Sequence, residues 1–90
     1  MRFEWDRRKA TTNAKKHAIT FDEAATVFGD RLALTFQDPD HSTEEDRFLT
    51  FGISGSGKLT VVSHTARSAN ERIISARPMT PSERDIYEQG

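Results

Sequence analysis

From Arg31 to Arg77 the apolar residues recur at every second position, in four runs parted by short turn-forming stretches. That period commits this part of the chain to β-strands, because alternate side chains of a strand share one face. Leu32, Leu34 and Phe36 alternate until Asp38-Pro39-Asp40 breaks the run. Arg47 to Ile53 alternates again, with Leu49, Phe51 and Ile53 on one face, and Ser54-Gly55-Ser56-Gly57 supplies a flexible hairpin connection. Leu59 to Thr65 is a β-branched third strand, Ala66 to Asn70 a second turn, and Glu71 to Arg77 a fourth strand centred on Ile73 and Ile74. The expected sheet is a four-stranded antiparallel meander.

Helix signals flank it. Phe3-Glu4-Trp5 is a short apolar start, a candidate strand tucked under the first helix, and Asp6 suits the cap of a helix running to about Lys16, with Ala10, Ala14 and His17 as a weak inner face. Thr20-Phe21-Asp22-Glu23 reads as a capping box with Glu23 reaching back to the cap amide, Ile19 and Ala24 as its staple, and Gly29 ending the helix after Phe28. Thr80-Pro81-Ser82-Glu83 is a second box, opening a short helix through Ile86 and Tyr87. The fold class is α+β: two N-terminal helices, four strands and a C-terminal helix, in one domain over residues 1–90.

Composition narrows the function classes. With 34% hydrophobic residues and six Phe, the chain has the apolar bulk to fold and is no disordered polyelectrolyte. No apolar run reaches the roughly 18 residues of a membrane span, and the start lacks the apolar stretch of a secretory signal. The absence of cysteine excludes disulfides and a thiol nucleophile and suits a cytoplasmic location. A net charge of −1 argues against a nucleic-acid partner, but its distribution is uneven. Residues 1–20 carry six Lys/Arg against two acids, residues 21–50 two against eight, and residues 51–90 five against four.

Several motifs fail on context. Gly52 to Lys58 matches most of a phosphate-binding loop, but Leu59-Thr60-Val61-Val62 after it is strand material where such a loop must open a helix. Asp38, Asp40 and His41, with Glu44 and Glu45 nearby, lack the spacing of a calcium loop, and His17, His41 and His64 lack that of a zinc site. No metal or cofactor is expected. What remains is basic: Arg67 in the turn after the third strand and Arg77 at the end of the fourth. In an antiparallel pair Arg77 lies nearer Lys58 than Arg67, and with Ile74 turned to the core it points to the open side.

Read in order, Phe3-Glu4-Trp5-Asp6, Lys16-His17-Ala18-Ile19-Thr20-Phe21-Asp22-Glu23-Ala24, Ala33-Leu34-Thr35-Phe36, Asp38-Pro39-Asp40-His41-Ser42, Glu45-Asp46-Arg47-Phe48, Arg72 to Arg77 and Glu83 to Glu88 resemble the BrnT toxins, the ribonuclease halves of bacterial type II toxin–antitoxin pairs. The resemblance implies a RelE-like fold, an endoribonuclease that suppresses translation, an RNA substrate, and a BrnA-like antitoxin. That antitoxin would carry a ribbon-helix-helix DNA-binding domain, so DNA is met only through it. The family's functional arginines correspond to Arg67 and Arg77. Ala18 stands where the family usually has Gly, and Ser63-His64-Thr65-Ala66 is looser than the family pattern.

Cleaving RNA without a metal requires proton removal from the 2′-hydroxyl, stabilisation of the phosphorane charge and protonation of the leaving oxygen. Arg77 and Arg67 suit the second task, since a guanidinium binds phosphate bidentately and stays charged. His17 or His64 suits proton exchange. Lys16, Lys58 and Tyr87 are RNA-binding candidates. Two rivals stand beside this reading: a degenerate toxin acting only in a repressor complex, and a phosphate-binding enzyme using the Gly52–Lys58 loop.

Overall fold

The computed structural model describes residues 2–40 and 46–90, so His41, Glu44 and Glu45 lie outside it. In chain order come β1 (Arg2–Trp5), α1 (Arg7–His17), α2 (Phe21–Thr26) running into a 3-10 turn (Val27–Gly29), β2 (Leu34–Gln37), β3 (Arg47–Ile53), β4 (Leu59–Arg67), β5 (Asn70–Pro78) and α3 (Pro81–Gln89). The sheet order is β1-β5-β4-β3-β2. The expected meander is present as β2 to β5, all antiparallel.

The first correction is a fifth strand, which makes the sheet mixed: β1 pairs parallel with β5, Phe3 opposite Glu71 and Trp5 opposite Ile73. Four residues are too few for a period to declare itself. Partners decide the matter instead, since Phe3 lies 5.0 Å from Phe28 and Trp5 meets Phe21 edge-on at 5.9 Å. Two further corrections concern local ends. Leu32 precedes β2 and is 71% exposed. Arg67 belongs to β4, opposite Asn70, and not to a turn.

α1 begins at Asp6, whose carboxylate accepts from the Lys9 amide at 3.1 Å. It ends at Ala18 with φ 57°, the left-handed conformation that favours glycine. The Lys58 ammonium donates to the Ala18 carbonyl at 2.9 Å and steadies that strained cap. α2 has half of its expected box. Thr20 accepts from the Glu23 amide, but the Glu23 side chain turns away and accepts from the Ser54 and Ser56 hydroxyls of the β3–β4 hairpin. The glycine-rich loop therefore closes on a carboxylate, and a phosphate would meet repulsion there. α3 has both halves of its box, from Thr80 and Glu83.

The core lies between one sheet face and the first two helices: Ile19, Phe21, Ala24, Val27, Val62, Ile73 and Ala76 are all buried. Truncating one of its large members, as in Ile73→Ala, costs about 2–5 kcal/mol. Ile73 and Ala76 share this face only because the β4–β5 register slips between Ser63 and His64. That irregularity leaves Ile74 without a core position, which corrects the expectation that Ile74 turns inward. Beyond Trp5, where β1 ends, Asn13 of α1 takes over the free edge of β5. Its amide accepts from the Ala76 N–H at 3.0 Å and donates to the Ala76 carbonyl at 2.8 Å, as a neighbouring strand would.

Candidate nucleic-acid interface

The face of the sheet turned away from α1 and α2 is ordered in rows by the strand register. One row holds Leu34, Phe51, Val61 and Arg77; the next holds Phe36, Leu49, Ser63 and Ser75; a third holds Arg47, Thr65, Arg72 and Glu4. Arg67, Asn70 and Arg2 follow beyond it. Rows are two residues apart, so each step is about 7 Å.

Arg77 lies on the open side, as parity indicated, although the slipped register and not an inward Ile74 puts it there. Its guanidinium grips Glu83 through two hydrogen bonds of 2.6 and 2.7 Å. The Arg77 hydrogen bonds hold the Glu83 carboxyl down at about 2, and Glu83 in turn raises Arg77. With three of its five N–H donors met by Glu83 and the Pro78 carbonyl, Arg77 keeps others for a phosphate oxygen.

Two residues from Arg77, Ser75 and Ile74 form one wall of a groove of about 330 Å³ whose other wall is α1. Arg8, Lys9, Lys16 and His17 line it, and no lining residue is acidic. Positions 8, 9, 12, 13, 16 and 17 fall on one flank of α1 by helical spacing. The half-buried His17 is presented by the last turn of that helix. Lys16 and His17 thus share the groove with Ser75, two residues before Arg77 in β5.

Arg67 is not brought to them. Six residues along β4 separate it from Val61, the partner of Arg77, or about 20 Å. One scissile phosphate is not shared across that span. Arg67 instead joins Arg72, Arg47 and Arg2. Arg72 pairs with Glu4 at 3.3 Å. The Asn70 hydrogen bond, helped by Arg72 and the Arg67 charge, lowers Glu4 below its usual range. Arg47 and Arg72 were not singled out from the sequence; the signal was available, since each stands one strand away from Thr65 once the hairpins are registered.

His64 is buried, which counts against the proton-exchange reading of it. It is 5% exposed, with Phe28 against its ring at 4.8 Å and Phe48 at 5.9 Å. Nδ1 meets the Glu71 carboxylate at 2.6 Å and Nε2 the Thr50 hydroxyl at 2.7 Å. The order hydroxyl, imidazole, carboxylate copies that of a hydrolase triad. Thr50, however, is 1% exposed and shares its hydroxyl with Thr35 at 2.8 Å, so no substrate reaches it. The chain ties β2, β3, β4 and β5 together.

Two other candidates are occupied. Lys58 holds the end of α1 and lies 3.7 Å from Glu23. The Tyr87 hydroxyl donates to Asp30 at 2.6 Å, and that bond pushes its pKa up to about 12. Asp38 accepts from the Asp40 amide and closes a turn. Among the described residues, no three His, Asp or Glu side chains converge as a metal site, and no helix is long and apolar enough to cross a membrane.

The fold has a solved counterpart. The 1.1 Å crystal structure of the Brucella abortus ribonuclease toxin BrnT superposes with a TM-score of 0.68 at 24% identity, over 89% of this chain and 97% of that one. No curated protein sequence matches. The family model described as the ribonuclease toxin BrnT of type II toxin–antitoxin systems matches residues 5–83, from the end of β1 to the carboxylate that holds Arg77. With α1, β2 to β5 and the arginines at 47, 67, 72 and 77 inside that span, the chain belongs to the BrnT family of ribonuclease toxins.

Proposed function

We propose that this chain is a metal-independent endoribonuclease that acts in the cytoplasm and halts translation by cutting RNA. A DNA-binding antitoxin neutralises it, and the complex represses its own operon. The observation that carries the reading is the acid-free groove between α1 and β5, with Lys16 and His17 on one wall and Arg77 two residues from the other. Lys16 holds the RNA backbone. His17 takes the proton of the 2′-hydroxyl or returns one to the leaving oxygen. Arg77, fixed by Glu83, faces the phosphorane with a charge already in place. Arg67, about 20 Å away, acts on the strand and not on the reacting phosphate. His64 serves by holding the strands that carry these groups.

Purified His17→Ala and Arg77→Ala proteins should fold, bind antitoxin and lose RNA cleavage, with wild-type cleavage unaffected by a chelator. Full cleavage in both variants sinks the assignment, and strict dependence on added divalent metal sinks the metal-free chemistry. The grip of Glu83 on Arg77 favours the second reading, a non-enzymatic toxin kept for repression. Induction in bacteria lacking the antitoxin decides, because only a nuclease arrests growth with loss of RNA integrity.

A further inference from the structure

The open face holds more than the groove. Its middle row presents Phe36, 42% exposed, beside Leu49, Ser63 and Ser75. On one side of that row stands Arg77; on the other stand Arg47 and Arg72, and then Arg67 and Arg2. Two basic stations about 20 Å apart along the strands thus share one sheet face with an exposed aromatic ring that stands three strands across, on the edge strand β2, about 14 Å to the side. Arg67 is exposed, and its side chain makes no hydrogen bond or ion pair among the described residues.

We propose that this face is a track for single-stranded RNA, in which the Arg67–Arg72 band grips phosphates several nucleotides away from the one held at the groove and Phe36 stacks on a base between them. This rests on the proposed function and deepens it by naming the substrate: an unpaired strand long enough to reach both stations. Stacking on Phe36 requires a base free of its partner, which duplex RNA does not offer. Phosphates at both stations answer the charge pattern, basic at each end and neutral between. An acidic peptide would satisfy the arginines but leave the ring without a planar partner.

Binding is measured on 2′-deoxy oligonucleotides, which are not cut, so the outcome is independent of cleavage. A decamer should bind the full chain at least tenfold more tightly than a trimer of the same base composition. Arg67→Ala should shrink that gain to less than threefold and flatten the decamer's salt dependence by about 0.7 in logarithmic slope. Phe36→Ala should weaken the decamer by about tenfold without changing that slope. Equal affinity for trimer and decamer overturns the track. So does an Arg67→Ala protein that keeps the whole length gain, or one that prefers a decamer duplex. Failure of cleavage alone, with the length gain present, sinks the nuclease reading and leaves the track.

Discussion

The two ends of the open face carry the same residue type and differ in what surrounds it. At one end Arg77 is fastened to Glu83 by two short hydrogen bonds, with its side chain 37% exposed. At the other, Arg67 ends a strand and is exposed, beside a longer Arg72–Glu4 contact. A charge held in place stabilises a transition state without reorganising. A mobile charge attracts and retains a polyanion but does little for the chemical step. The surroundings of each arginine, more than its identity, assign it to chemistry or to capture.

The largest expected effect tests this division directly. Arg77→Ala should lower kcat by about 100- to 1000-fold, the usual loss for one preorganised donor, whereas Arg67→Ala should raise KM and leave kcat within about threefold. Single-turnover and steady-state kinetics on one oligonucleotide check it; the same kcat loss in both variants abolishes the distinction. Next comes the shared support. His64→Ala leaves Glu71 and Thr50 without their partner and opens a cavity beside Phe28, so it should cost about 3 kcal/mol in urea unfolding and weaken both ends together.

The pH dependence sharpens the comparison from the Arg77 end. Glu83 has a folded-state pKa near 2, below its ordinary 4.5. Its contribution is present above pH 4.5 and is lost as pH falls towards 2. With screening at the half-exposed Arg77 it is about 1–2 kcal/mol. Acid titration of unfolding should show that loss in the wild type and a flatter profile in Glu83→Gln. Ala18→Gly should add about 0.5–1 kcal/mol in urea unfolding by relieving the left-handed cap that follows His17.

The sequence disclosed whatever depends on local period. β2 to β5 and the caps at Asp6, Thr20 and Thr80 were legible because alternation and capping act within a few residues. What escaped depends on partners distant in the chain. β1 was a candidate strand of three residues with no place in the expected sheet until β5 supplied its neighbour. Glu23 fits a capping box by spacing, yet the hairpin serines 31 and 33 residues away outcompete the cap amide for it. Ile74 looks like core by composition, and one slip of register removes it. In the candidate site, Lys16, His17 and Arg77 were named from sequence, but the groove that Lys16 and His17 share with β5, the distance of Arg67 from Arg77 and the burial of His64 were not. Each needs the strand register.

The parallel pairing of β1 with β5 bears on when the molecule acquires its activity. Arg2 and Glu4 pair with Asn70 and Arg72, which lie most of the sequence away from them. Contacts of such sequence separation form late, after the loop between them has closed. A nascent chain on the ribosome therefore has no complete sheet until Asn70 to Ile73 have emerged, and neither the Arg72–Glu4 row nor the α1–β5 groove exists before then. The surfaces proposed to hold RNA are by this topology assembled only once β5 is free to pair, and a chain cut short before β5 would be inert.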